Sequence, residues 1–282
     1  MTTELLRRRP PDDVDDAFDI DSFKARSAPV SLEGIDLDSF KDQPLDPDSL
    51  RCLRYMHDVE HHTVCYLRDL LVTPAHRDPT VTTFLTLWNV EEMYHGDAIG
   101  AVLAAHGEEA GRPRIGSTRQ RLSRFDRYAP AAHTLGSILV GEAWTAVHMT
   151  WGAVNEWTAQ AGYARLGQRA QHPVLSTLLS RIMRQEGRHA DFYARQAERR
   201  LRGDARARWL TRTALRRWWG PVGSTLLPRH EVAFLAGHLF SGRDGRAMTE
   251  RIDRRLDQLP GLSGLRLTTV AAERLTAGLA VT

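Results

Sequence analysis

The chain has 282 residues, with 38 basic against 35 acidic side chains, a formal net charge of +3 and two cysteines. That length accommodates one main domain, a single helical core with peripheral helices around it. No stretch reaches the ~20 apolar residues of a membrane span, and the polar Met1 to Arg9 carries no leader-like apolar run. The expectation is therefore a soluble, cytoplasmic protein with no membrane partner.

Residues 1–45 hold Pro10-Pro11, many aspartates and little sustained periodicity, and read as an extended acidic arm. Asp46-Pro47 then has the form of an N-cap with proline at the first helical position. Leu53, Met56, Glu60, Thr63, Leu67 and Leu70 follow at spacings of three and four, which predicts a first helix. Cys52 and Cys65 both fall in it, separated by ~20 Å of helical rise, and so read as reduced thiols rather than a disulfide. Asp78-Pro79 repeats the start signal. Leu85, Trp88, Glu92, His95, Ile99 and Val102 form the second stripe, closed by Gly107.

Gly111 to Pro130, rich in Arg, Gly, Ser and Pro, reads as a long crossover with one short helix inside it. A third helix is expected from Ala131 to Leu166. A fourth starts at His172-Pro173 and carries Leu175, Leu179, Ile182, Glu186, His189 and Tyr193 on one stripe. Beyond Gly203, shorter helices near 205–219, 230–240 and 248–256 are separated by glycine and proline. No strand-length alternation competes with the helical period. The expected organisation is all-α: the acidic arm, a four-helix bundle over 46–203 with a long crossover between its second and third helices, and a C-terminal helical extension over 204–282 that packs on the bundle.

Charge is unevenly spread. Asp12 to Asp48 holds twelve acidic side chains against Lys24, Arg26 and Lys41, whereas Arg195 to Arg217 holds nine arginines against Glu198 and Asp204. The basic run suits docking of an acidic carrier protein, pairing with the acidic arm, or simple solvation. No nucleic-acid-binding motif accompanies it.

Two helical stripes contain one short pattern, Glu92-Met93-Tyr94-His95 and Glu186-Gly187-Arg188-His189. A spacing of three puts each Glu and His on one helical face. Both pairs sit in apolar seams, where a bare carboxylate costs several kcal/mol unless it is protonated, paired or bound to a cation. Glu60 occupies the first seam in the same way. The alternative, solvated polar residues with the seams elsewhere, leaves unexplained why every one of them falls on an apolar stripe. In the third helix Glu142 and Glu156 share a face but differ in height by about 21 Å. In a hairpin, residues at equal height lie equally far from the turn, and Glu60 with Glu92 meets this condition around residue 76. Glu156 with Glu186 meets it around residue 171, whereas Glu142 misses by roughly 20 Å. Two hairpins of one design result, Glu60 with Glu92 and His95, and Glu156 with Glu186 and His189. Four carboxylates and two imidazoles suit a pair of iron ions, with manganese as the alternative, better than zinc, which prefers a compact tetrahedron.

With these residues in view, the chain resembles the soluble acyl-carrier-protein desaturases and their ferritin-like relatives. The strongest match is Trp88-Asn89-Val90-Glu91-Glu92-Met93-Tyr94-His95-Gly96-Asp97, which is similar to the family's Trp-x-x-Glu-Glu-x-x-His-Gly-Asp. Asn155-Glu156, Glu186-Gly187-Arg188-His189 and Glu60, six residues before Tyr66, fit the other ligand helices, so the resemblance covers about residues 50 to 195. Gln185 stands where the family usually has Asp, Ala159 (with Thr158 one place early) where it has Thr, and Tyr94 where it often has Arg. The resemblance implies a ferritin-like bundle in which Glu92 and Glu186 bridge two irons. It also implies an oxygen-dependent desaturation or hydroxylation of an acyl chain, possibly held on an acyl carrier protein, or of a small biosynthetic intermediate. Electrons would come from an external donor, a ferredoxin-like protein or a flavin reductase, and the chain would be a homodimer. A ferroxidase or iron-storage role, and a non-catalytic helical interaction protein, are the competing classes.

Around the six ligands, His57, His61 and His62 read as surface histidines or as supports to the ligands, and Trp88 as packing. Tyr94, Tyr163 and Tyr193 read as hydrogen-bonded core tyrosines, and Glu142 as a buried or half-buried polar residue remote from the site.

Overall fold

A computed structural model describes residues 18–120 and 124–279, and every regular element among them is helical. The arm contributes α1 (Ile20–Arg26) and the single turn α2 (Ser39–Asp42). The helices α3 (Pro47–Leu71) and α4 (Pro79–Ala105) form a first hairpin. Asp46 caps α3 by accepting from the backbone N–H groups of Asp48 and Ser49, and Asp78 caps α4 through Thr80 and Val81. Both satisfy donors that a helix start leaves orphaned, and both are followed by proline at the first helical position.

The crossover is more helical than its composition suggests. It holds α5 (Gly111–Gln120) and α6 (Arg124–Val140), with Pro130 inside the latter. The expected helix over 131–166 is two helices, because the chain breaks at Gly141, whose φ of 72° is favourable only without a Cβ. Its second part, α7 (Ala143–Ala170), pairs with α8 (Pro173–Leu201) in the second hairpin. Glu142 lies at this break and is exposed, rather than buried or half-buried as expected.

The remaining helices are α9 (Ala205–Trp218), α10 (Arg229–Phe240), α11 (Gly242–Asp257) and α12 (Leu267–Leu279). The last was not anticipated. Its start is capped from outside, as Asp253 of α11 accepts from the backbone N–H groups of Thr268 and Thr269 at 2.9 and 3.1 Å. Cys52 and Cys65 form no disulfide.

From residue 18 onward the arm is pinned to the bundle by burial. Phe23 and Phe40 are 0 % and 2 % exposed, and Arg181 donates to the carbonyls of Ser31 and Glu33. The apolar interior falls into two halves along the hairpins. On α4 the first half holds Phe84, Leu85 and Trp88, and the second holds Ala98, Ile99 and Val102. Glu92 and His95 lie between them, so the polar site is a layer closed off from water by hydrocarbon on both sides.

Candidate metal centre

Glu60 comes from α3, Glu92 and His95 from α4, Glu156 from α7, and Glu186 and His189 from α8. None is more than 5 % exposed. The structure brings all six together as two groups of donor atoms, each group within 4.8 Å: Glu60, Glu92, His95 and Glu186, and Glu92, Glu156, Glu186 and His189. Glu92 and Glu186 belong to both. Glu92 turns one oxygen to His95 Nδ1 at 3.0 Å and the other to His189 Nδ1 at 3.1 Å. Glu186 does the same at 3.2 and 3.2 Å. Glu60 and Glu156 close the two ends, 4.0 Å from His95 and 3.8 Å from His189. An ion with donors at about 2.1 Å in octahedral array separates them by roughly 3 Å cis and 4.2 Å trans. The two clusters of buried glutamate and histidine could therefore each hold a metal ion.

The outer nitrogen of each histidine is anchored. His189 Nε2 lies 2.7 Å from Glu91 Oε2, and Arg188 donates to the other Glu91 oxygen at 2.8 Å. Glu91 is wholly buried. Burial opposes its charge, but His189 and Arg188 hold it below the usual carboxylate range, so it accepts only and His189 carries its proton on Nε2. His95 Nε2 lies 2.9 Å from Gln185 Oε1, while Gln185 Nε2 donates to the Ala28 carbonyl at 3.0 Å. A carbonyl can only accept, which fixes the amide's orientation and puts the His95 proton on Nε2 as well. Once a ring loses its second proton, the Nδ1 lone pair that results faces the carboxylates.

Without a cation, protons hold the cluster together. Burial and the charge of Glu92 push Glu60 well above the usual carboxylate range, and burial and Glu186 do the same to Glu156. Burial acts on Glu92 and Glu186 too, yet Glu92 is held low by its hydrogen bond with Glu60 and by both histidines, and Glu186 at about 2 by His95 and His189. Despite burial, Glu186 and Glu92 raise His95 to about 9, and Glu92, Glu186 and Glu91 raise His189 well above its ordinary value. These directions favour charge on the two shared carboxylates and protons on the two flanking ones and on both rings.

Several roles differ from the sequence reading. Trp88 is more than packing, since its Nε1 donates to Glu156 Oε1 at 3.0 Å. Tyr163 is the hydrogen-bonded core tyrosine expected, donating to Glu60, whereas Tyr193 packs edge-on against Trp88 and Tyr94 is only half-buried. His57, His61 and His62 are buried rather than superficial. His57 Nε2 accepts from Gly111 N, and Arg114 grips Asp58 through two hydrogen bonds, so this corner holds the crossover against α3. Glu91 and Arg188 are not picked out as supports by the sequence reading, and Gln185 enters it only as a departure from the resemblance. The available signal was positional, because Glu91 and Gln185 each precede a shared glutamate by one residue.

An apolar cavity that opens to solvent reaches Glu60 and Tyr163 from the side of the C-terminal helices. It is lined mainly by carbon from α3, α7, α10, α11, α12 and the segment that follows α9, including Met56, Ala159, Gly162 and Trp219. Glu60 is the one side chain in its lining, among the described residues, that is charged in water; no Lys, Arg or His contributes.

No protein-family model matches the chain, and no curated protein matches it.

Proposed function

We propose that this chain is an oxygen-dependent non-haem di-iron oxidase, built on a ferritin-like four-helix bundle of α3, α4, α7 and α8, that desaturates or hydroxylates an apolar molecule or acyl chain. The donor set fits two divalent ions on charge as well as spacing. Four carboxylates with two neutral imidazoles and two dications sum to zero, as does the proton-filled cluster. A buried site tolerates either state and little else. Hard oxygen donors with one imidazole per metal suit iron or manganese.

Bound ferrous ions would supply the redox equivalents and the open coordination positions at which molecular oxygen is activated. The protein's own groups do the rest. Glu92 and Glu186 present one oxygen to each half of the site. Glu91 and Gln185 keep the two imidazoles in the Nε2–H tautomer. Trp88 and Tyr163 hold the flanking Glu156 and Glu60 by hydrogen bonds. Desaturation and hydroxylation each consume molecular oxygen with two protons and two electrons, so an external electron donor belongs to the proposal.

The observation that carries this reading over iron handling is the cavity. A ferroxidase needs a polar path for ions, whereas an apolar pocket ending on Glu60 suits an organic substrate whose C–H bonds must lie beside the site, away from water. The test is anaerobic loading of the full chain with ferrous iron, followed by mixing with oxygen, for the wild type and Glu156→Ala. Two irons per chain and an oxygen-dependent optical change that the variant loses support the proposal. Absence of iron uptake, a variant indistinguishable from wild type, or continued oxidation of many irons per chain into mineral would sink it.

A further inference from the structure

The two histidines occupy matching positions and have unmatched partners. His189 gives its Nε2 proton to a carboxylate, Glu91, at 2.7 Å; His95 gives its own to a neutral amide, Gln185, at 2.9 Å. The rest of the surroundings is nearly even. Each flanking glutamate accepts one hydrogen bond from a neutral donor, Trp88 to Glu156 and Tyr163 to Glu60, and the two shared glutamates serve both sides alike.

From this asymmetry we infer that the two metal positions are unequal, the one at His189 binding a divalent ion more tightly and filling first. This rests on the reading that the cluster holds two divalent ions. An imidazole whose outer N–H faces a carboxylate is the more basic ligand and donates more charge to a metal, and such partners change metal affinity by roughly 10- to 100-fold. An amide carbonyl is a dipole and does this weakly. Arg188 pairs with Glu91 Oε1 and weakens this donation without abolishing it, because Glu91 keeps its charge and its Oε2 still accepts from His189, whereas the Gln185 amide is neutral. Gln185 has a second duty that a carboxylate would not perform, as its N–H₂ donates to the Ala28 carbonyl and ties the arm to the ligand layer. A glutamate there would strengthen His95 as a ligand and release that tie.

Cobalt(II) is the probe, read by its visible absorption and by calorimetry under anaerobic conditions on the full chain. The wild type is expected to bind in two steps whose dissociation constants differ at least ~10-fold. Crystals grown with less than one equivalent should show the anomalous peak beside His189. Glu91→Gln should weaken the tight step by roughly tenfold and bring the two together, whereas Gln185→Glu should tighten the weak step. Helical content and a melting curve of each metal-free variant establish that it is folded. Because Glu91→Gln leaves Arg188 without its carboxylate, Gln185→Glu and the wild-type anomalous map carry the test if that variant unfolds. Two equal steps, a first ion beside His95, or a folded Gln185→Glu with an unchanged weak step would overturn the inference. Absence of binding at two ions per chain would instead overturn the di-metal reading beneath it.

Discussion

Trp88 Nε1 donates to Glu156 Oε1 at 3.0 Å, joining the first hairpin to the second inside the ligand layer. The indole is 5 % exposed and packs edge-on against Tyr193, so neither end of the hydrogen bond has water as an alternative partner. Trp88→Phe keeps most of the ring packing and removes the donor. It should lower unfolding stability by about 1–3 kcal/mol in denaturant titration. It should also weaken cobalt(II) binding by roughly tenfold or more. Unchanged binding would show that Trp88 acts by packing alone.

The close approach of α7 to α8 depends on one glycine and not on another. A Cβ at Gly152 would sit 2.4 Å from the Tyr193 ring, whereas at Gly187 it would meet only Gln160 Nε2 at 3.5 Å. Gly152→Ala should therefore destabilise by about 1–3 kcal/mol through overpacking. Gly187→Ala should be neutral or stabilise by up to ~1 kcal/mol through helix propensity. A pair of melting curves decides it, and equal effects would refute the packing account.

Protons and metal ions compete for one cluster, which sets a pH dependence. His95 has its folded pKa raised to about 9, so its contribution to stability is complete below its unfolded value of about 6.5 and is lost as pH rises through 9. Glu60 and Glu156, raised by burial, act in the same direction. The metal-free protein should melt at lower temperature as pH goes from 6.5 to 9, while cobalt(II) affinity rises over the same range and binding releases protons. Calorimetry in buffers of different ionisation heat would expose that release. Affinity independent of pH would contradict the proton-filled cluster.

The cavity admits a separation of metal from substrate. A Cβ at Gly162 would lie 3.4 Å from Met56 Cε and 3.9 Å from Leu239 Cδ1, so Gly162→Leu projects its branches into the space beside Glu60. Binding of 1-decanol, followed by NMR of the labelled chain, should be lost or fall more than about tenfold. Cobalt(II) stoichiometry should stay at two. Retained 1-decanol binding would place the apolar ligand elsewhere.

Helical period and distance from the turn were enough to bring Glu60, Glu92, His95, Glu156, Glu186 and His189 into one layer and to set Glu142 aside. They succeed because rise per residue fixes height along a helix. They are silent on what lies behind the ligands. Whether Trp88 reaches Glu156, or Glu91 reaches His189, depends on rotation and spacing between helices 68 and 98 residues apart in the chain, which no single helix's period contains. The break at Gly141 was missed for another reason. An isolated glycine inside a helical pattern is tolerated as often as it ends one, and only its positive φ reveals the stop. The arm's two helices leave no helical period in the sequence because they are short and their burial rests on single aromatic residues, Phe23 and Phe40, rather than on a stripe.

The two hairpins divide the ligands equally, and each is joined by a short connection. Contacts within a hairpin are local in sequence, so each forms early and cheaply, carrying three of the six ligands with it. Bringing the halves together is the step that strips water from four carboxylates at once. That step sets a cost, solvation lost, against a gain, protons or metal ions bound. A cation therefore favours the docking of the two hairpins, between which its ligands are divided, rather than the making of any one helix.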